Sequence, residues 1–573
     1  MKIYDKYGIK KSAWIFYFLF KDYWQSKEKW KARGLLSAVI VMNLVSVYIL
    51  LLLTSWYNEF YTILQNYSYQ NFWQSIGKFS FLAFLFILLA VYALYLQQML
   101  QIKWRTWMTA HYLDAWLENQ TYYRLQSAIK DTDNPDQRIQ EDINLFVNLT
   151  LNLGIGLFKQ LVTLIAFIAM LWQLSGSFSF SFNGQTVQIY GFMVWVTIIY
   201  SIIGTLLTHK VGHQLIGLNF NQQKYEADFR FSLMRIRENS ECVAFYKGEQ
   251  PEKVNFKNRF IFVINNFRQI MNRQKILTGM TVSYSQLAII LPILIAAPRY
   301  FGEMMPIGWL IQTLTAFGKV QDALSYLVNS YTDIAQWSSV IRRLGSFTEH
   351  MCEIKKIESP VEKSIAANLE ISGLTVNLPQ GKSLISDLNI RLPAGESLII
   401  TGASGCGKST LLRTLAGIWP FAAGKIGLPQ QNKILFLPQK PYLPLGTLRQ
   451  ALYYPQTQSA ASAVYEEHVL SLCELEKFIS QLDKSDDWSC ILSLGEQQRL
   501  AFARILLKKP EWVFLDEATS ALDEITEARL YKMLKTELPN ITIISVGHHS
   551  TLLQYHRYQL KLTGSGRYEL FCL

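Results

Sequence analysis

Residues 35–56 and 79–100 each run for 22 positions without one charged side chain. About 20 apolar residues, at 1.5 Å of rise each, cross the roughly 30 Å hydrocarbon core of a bilayer. A backbone in hydrocarbon has to satisfy its own N–H and C=O groups, so such runs restrict a chain to spanning helices or to helices buried in a large core. Further runs decide between the two: 161–174, reached through the LNLGIGLFKQ of 151–160, then 191–207, then 276–297 with its Pro292. A sixth, 307–327, is weaker because it carries Gln312, Lys319, Gln321 and Asp322. With hydrophobic residues at 50% and charged ones at 17% of 573 residues, the chain is too apolar for an ordinary soluble enzyme. The expectation is an integral, multi-pass membrane protein with a six-helix, all-α transmembrane domain.

Lys and Arg then set an orientation. Residues 1–33 carry nine, 57–78 only Lys78, 101–142 five, 175–190 none, 208–275 twelve and 298–306 only Arg299. High and low alternate as six spans demand, with both termini cytoplasmic; a bacterial inner (plasma) membrane is the expected location. The net charge of +12 could suggest nucleic acid, but much of the excess lies beside apolar runs, so no nucleic-acid partner is expected. Residues 11–31 mix aromatics with lysines and read as an amphipathic helix at the membrane surface or as a positive flanking anchor. The connections 101–148 and 208–275 are too long for loops and are expected to continue the membrane helices, the first through a turn and a charged helix at 131–142. Six cysteines without C-x-x-C spacing fit a reducing compartment and no metal site. The first apolar run starts late and is too long for a cleavable signal peptide. The division expected is an N-terminal segment 1–33, a membrane domain 34–345, a linker 346–366 and a second domain 367–573.

That second domain carries chemistry. GASGCGKST, 402–410, fits G-x-x-x-x-G-K-[ST] at Gly402, Gly407, Lys408 and Ser409. Glycines let backbone N–H groups approach phosphates, Lys408 sets a point charge on them, and the Ser409 hydroxyl can ligate Mg2+. The stretch follows a buried-strand pattern, ESLIIT, and opens a helical one, STLLRTLAGI, so phosphate would sit at a helix N-terminus. Ala403, Ser404, Gly405, Cys406 and Thr410 become binding candidates with it. WVFLDEATSALDE, 512–524, is an apolar strand ending in two acids, Asp516 to hold Mg2+ and Glu517 to polarise an attacking water. IISVGHH, 543–549, is a strand ending at His548, a candidate γ-phosphate contact. Gln439, in FLPQKPYLP, suits a Mg2+- or water-sensing role, or is simply a surface amide. LSLGEQQRL, 492–500, is a polar cluster with no phosphate loop of its own.

Taken in order, these residues resemble the nucleotide-binding domain of ATP-binding cassette transporters. The resemblance implies an α/β P-loop domain that hydrolyses ATP with Mg2+. It makes LSLGEQQRL the signature motif, so that Ser493, Gly495 and Glu496 would complete the ATP site of a second copy from a helix N-terminus. Asp523 joins the nucleotide-binding candidates. One chain would be catalytically incomplete, and a homodimer with two ATPs between head-to-tail domains is implied. The usual L-S-G-G-Q is altered, with Leu494 in place of its first glycine and Glu496 in place of its glutamine. TVNLPQGKSL, 375–384, lacks the usual aromatic that stacks on adenine, leaving Leu378 or Pro379 to pack there.

WRTWMTAHYLDAWLENQTYYRLQ (104–126), DNPDQRIQEDI and RENSECVAFYKGE resemble the membrane domain of subfamily D. That group includes peroxisomal acyl-CoA transporters, a lysosomal cobalamin transporter, and bacterial proteins that take up vitamin B12, bleomycin-like compounds or antimicrobial peptides. The resemblance implies a half-transporter with an exporter-type membrane fold. Lys319 and Asp322, three apart, can share a helix face. With Gln312, Thr313, Thr315, Gln321 and Ser325 they suggest a wet cavity and a bulky hydrophilic cargo such as cobalamin or a peptide. Export of a fatty acyl-CoA or lipid on the same fold is the alternative.

Overall fold

The computed structural model describes residues 8–128, 134–182, 185–302, 306–356, 360–456, 462–547, 549–564 and 566–573. It divides into two compact units, Met1–Ala115 with Asp133–Glu349, and Trp116–Thr132 with His350–Leu573.

The first unit is built on α1 (Gly8–Gln25), α2 (Lys29–Gln65), α3 (Tyr69–Leu117), α4 (Ile143–Ser175), α5 (Phe192–Glu238), α6 (Glu249–Phe301), α7 (Ile307–Asn329) and α8 (Tyr331–Lys356). Five described helices are long and apolar enough to cross a membrane. With 53 residues, α6 is about 80 Å long, far more than the hydrocarbon core needs. Among the described residues α3 runs on to Leu117 and α5 to Glu238, so both long connections start as continuations of membrane helices, as expected. The sixth expected span forms α7, 23 residues long, which is not among those five and carries Lys319 and Asp322. It packs against α2, α4, α5 and α6. Of the polar side chains of α7, Gln312, Thr313 and Gln321 are buried, Lys319 is half-buried and Asp322 is exposed. Buried hydroxyls need partners, and Thr54, Thr163 and Thr313 each donate to the carbonyl four residues earlier, at 2.8 Å. Ser177–Phe182 (β1) and Gln185–Tyr190 (β2) pair as an antiparallel hairpin.

In α1, Ile15, Leu19, Tyr23 and Trp24 turn inward, and Tyr17 and Phe18 stay exposed. Tyr23 stacks on Trp104 with ring centres 5.5 Å apart, and Phe20 meets the same indole edge-on at 5.7 Å. The charged stretch after Pro135 is a buried ion network. Its π-helical turn, Arg138–Asp142, pairs Arg138 with Asp142, and Arg343 of α8 grips the same carboxylate at 2.6 and 2.9 Å. Charges taken out of water persist only when matched in this way.

The second unit holds two large sheets and a two-residue antiparallel pairing of Gly446–Thr447 with Ser485–Asp486. One has four strands in the order β3 (Val361–Ile365), β7 (Ala422–Leu428), β4 (Leu369–Asn377), β5 (Ser383–Leu392). The other has six, in the order β12 (Arg567–Cys572), β11 (Tyr558–Gly564), β6 (Ser397–Gly402), β10 (Thr542–Val546), β9 (Trp512–Asp516), β8 (Ile434–Leu437). From β11 to β8 all neighbours are parallel, and β12 alone is antiparallel. Central parallel strands are covered on both faces, so β6, β9 and β10 read as continuous Ile, Leu, Val and Phe runs rather than as an alternation. The chain leaves their C-terminal ends in loops, which is where open α/β sheets place their sites.

Candidate functional site

Three loops converge at the C-terminal ends of these parallel strands. After β6 the backbone runs through Gly402, Gly405 and Gly407 at φ of 143°, 81° and 107°, then enters α9 (Lys408–Leu415). Gly402 is required twice over: its φ lies in the left-handed region, and a Cβ there would sit 2.4 Å from the Leu562 carbonyl oxygen. Ala403, Ser404 and Gly405 form an exposed crest. Cys406 turns inward and packs with the apolar core, so this thiol is part of the floor of the loop. Lys408 folds across the loop, its Nζ donating to the carbonyls of Gly402 and Ala403 at 3.0 and 3.1 Å. Thr410, half-buried on the first turn of α9, offers its carbonyl to the Thr414 hydroxyl.

Asp516 ends β9, and its Oδ1 accepts from Ser409 Oγ at 2.8 Å. Burial pushes its carboxyl up, and the Ser409 bond only partly offsets this. Glu517 adopts φ 48°, a left-handed conformation costly for a residue with a Cβ, and its N–H donates to the Val546 carbonyl at 3.1 Å. That turn presents the carboxylate to Gln439, whose Nε2 donates to Glu517 Oε2 at 3.1 Å across the ends of β8 and β9. His548 lies outside the described residues. Its neighbour His549 bonds through Nδ1 to Glu527 at 3.2 Å.

Ser493 is the N-cap of α10 (Leu494–Lys508) and forms a full capping box with Glu496. Glu496 accepts the Ser493 N–H at 2.8 Å and pairs with Lys477 at 2.5 Å. Its carboxyl is pulled below the ordinary range: burial raises it, but the Lys477 and Ser493 hydrogen bonds together outweigh burial. So the acid that stands where the family's glutamine is usual has a job within its own helix end. Asp523 similarly caps α11 (Glu524–Glu537), accepting the Thr526 N–H at 2.9 Å, which holds its carboxyl low. The 378–381 turn is closed by the Leu378 N–H on the Lys382 carbonyl, with Leu378 half-buried and Pro379 exposed.

Two buried polar side chains join this site that the sequence did not single out. Gln498 lies within the LSLGEQQRL stretch and bonds to both the Gln439 and the Ser520 segments. Glu527, one turn into α11, accepts from Thr519 and His549. Neither has a spacing rule of its own; a polar residue at an inward position of an amphipathic helix is the one available signal.

Residues 19–301 match the family described as ABC transporter transmembrane region 2, and residues 385–520 match the one described as ABC transporter. The chain is 33% identical, over 92% of its length and 94% of the relative's, to the inner membrane ABC transporter ATP-binding protein YddA of Escherichia coli (strain K12). It is 29% identical to the lysosomal cobalamin transporter ABCD4 of Homo sapiens, covering 82% of each. In fold it is similar to a bacterial Atm1-family ABC exporter with ATP bound, at a TM-score of 0.73 over 94% of this chain and 96% of that one, with 17% identity. A membrane-spanning helical region fused to an ATP-binding domain whose hydrolysis drives transport, this chain belongs to the ABC transporter family.

Proposed function

We propose that two copies of this chain act together as a transporter that moves a bulky hydrophilic solute, such as cobalamin or a peptide, across a bacterial inner membrane. The observation that carries the catalytic part is the meeting of two hydrogen-bonded pairs, Ser409–Asp516 and Gln439–Glu517, at one end of the parallel sheet. The Ser409 hydroxyl, Asp516 carboxylate and Gln439 amide oxygen are hard oxygen donors and fit Mg2+. The raised Asp516 carboxyl fits as well, because a cation beside it favours the ionised form. Bound there, Mg2+ would neutralise charge developing on the β- and γ-phosphate oxygens. Lys408 and the N–H groups of 402–410 hold the phosphates at the N-terminus of α9. Glu517, oriented by Gln439, polarises the attacking water, and His548 contacts the γ-phosphate. Ser493 and Gly495 serve the ATP bound by the partner copy, with Glu496 shaping that helix tip and Asp523 shaping the turn opposite.

ATP favours one of two states of the paired cassettes, and its hydrolysis returns the other. Both termini are cytoplasmic in this reading, supported by the alternation of Lys and Arg between connections. The hydrophilic cargo is supported by the polar face of α7 and by similarity to a cobalamin transporter.

The test is uptake by a cobalamin-dependent bacterial host that lacks its own uptake system. Growth restored by this chain and lost with Lys408→Ala is the expected result. ATPase in liposomes that responds to lipid or acyl-CoA, and not to cobalamin or peptide, would transfer the cargo assignment to lipid export. Full-rate hydrolysis by a strict monomer would remove the paired site.

A further inference from the structure

Gln498 sits on α10 one turn beyond Gly495 and is 0% exposed. Its Nε2 donates to the Gln439 main-chain carbonyl at 3.0 Å and to Ser520 Oγ at 3.2 Å, and its Oε1 accepts the Ala521 N–H at 3.0 Å. These partners fix the orientation of the amide. Turned over, it would set an oxygen against a carbonyl and an NH2 against an N–H. One side chain thus ties together the signature helix, the Gln439 loop and the turn that follows Glu517. Gln439 carries the connection onward to the Glu517 carboxylate at 3.1 Å. A second observation marks the same junction. A Cβ on Gly495 would lie 3.3 Å from both the Ala521 carbonyl oxygen and Leu522 Cδ2, so the tip of α10 rests directly on that turn. With contact at the tip and an amide bonded on both ends, a shift of α10 pulls on Gln439 and on the turn after Glu517.

We propose that Gln498 is a positioning residue coupling the signature helix to the Glu517 carboxylate of the same chain, so that ATP held at that helix tip sets the hydrolytic geometry of the other site. This rests on the paired arrangement proposed above, in which Ser493 and Gly495 serve the partner's ATP. Gln498 acts through the Gln439 carbonyl, the Ser520 hydroxyl and the Ala521 N–H. Couplings between sites in proteins commonly amount to about 5- to 150-fold, which is the size of effect at stake.

The experiment is hydrolysis of MgATP by the full-length protein in lipid nanodiscs, measured against ATP concentration. Gln498→Leu removes all three bonds. Gln498→Glu keeps an acceptor for Ala521 and loses both donors. The expected result for Gln498→Leu is a kcat about 10- to 100-fold lower, an ATP KM within about threefold of wild type, and a Hill coefficient falling from about 2 toward 1. Gln498→Glu is expected to lose less kcat and the same cooperativity, and it carries the test if the leucine variant does not fold. Arg504→Met is the control. On the same helix, it gives up bonds to the Ala451 and Tyr442 carbonyls, so it lowers Tm and leaves the Hill coefficient alone. Wild-type cooperativity in both Gln498 variants, or activity lost only in proportion to folded protein with the Hill coefficient kept, overturns the coupling. A wild-type protein that is itself non-cooperative and fully active as a monomer overturns the paired arrangement instead.

Discussion

The two units solve opposite solvent problems with the same twenty side chains. In the cassette the largest apolar groups go inside: Trp488, Trp512, Phe502 and Phe514 are fully buried. In the first unit Phe81, Phe84, Ile87, Val91 and Ile203 point outward, and Thr54, Thr163, Gln312 and Thr313 are buried. An outward Phe is costly in water and costless in hydrocarbon, so the exposed apolar bands mark where lipid stands in for water. Inside the helical unit Thr54, Thr163 and Thr313 bond to carbonyls of their own helix, while Asp142 is held by Arg343 from a distant helix. Polar groups inside the cassette reach across the fold, as Gln498 does. The difference teaches where each unit keeps its specificity. The helical unit holds shape by packing that many sequences can supply, pinned by the Arg138–Asp142–Arg343 network, and the cassette holds chemistry by a few long-range hydrogen bonds.

The sharpest way to break this contrast is Glu517→Gln. It keeps the volume of the side chain and every helix, yet turnover is expected to fall by about 10²- to 10⁴-fold while ATP still binds. Robust hydrolysis by this variant in a phosphate-release assay would take Glu517 out of its role. Next in size, Trp104→Ala should cost about 3–5 kcal/mol, because the indole is 0% exposed and anchors α1 through Tyr23 and Phe20. Thermal unfolding in detergent reads it, and an unchanged Tm would mean that α1 is not held by this cluster. A matched pair then tests the inversion itself. Ile87 is 59% exposed and Ile365 is 78% exposed. Ile87→Lys should impair membrane insertion by about 2.5–3.5 kcal/mol, whereas Ile365→Lys should stay within about 0.5 kcal/mol. Equal effects on folded yield would erase the distinction between the two surfaces.

A graded effect, spread over more than two pH units, is a pH dependence of the cassette. Burial lowers the His556 imidazole to about 4, and its Nε2 meets Ser545 Oγ at 3.0 Å. An unfolded chain takes up this proton near the ordinary value of about 6.5. Between those values the unfolded state binds more protons, so stability falls as pH drops, at up to about 1.4 kcal/mol per unit. The contribution is complete above about 6.5. Denaturant midpoints measured from pH 7 to 4 should show this slope, and His556→Gln should flatten it.

Legibility followed the same division. Runs of 22 uncharged residues announced helices because hydrocarbon allows nothing else. The phosphate loop announced itself because only glycine tolerates the backbone at Gly402 and Gly407. Less legible was the charged stretch at 131–142, expected as a turn and a charged helix, whose Arg138 and Asp142 join Arg343 in a buried network. Its partner lies 201 residues away, and no local pattern carries that distance. The polar side of α7 was visible as composition, but whether Gln312 and Thr313 line an opening or pack against neighbours depends on which helices meet there.

What the sequence determined by itself was therefore whatever one segment and its solvent decide: the length of each span, the strand–loop–helix of the phosphate loop, and the acids closing β9. Tertiary structure alone decided which polar groups meet: Gln439 with Glu517, Gln498 with Ala521, Glu496 with Lys477. The physical reason is range. Backbone conformation and transfer into lipid are set by a residue and its near neighbours, whereas a hydrogen bond between distant segments exists only once packing has brought both ends within about 3 Å.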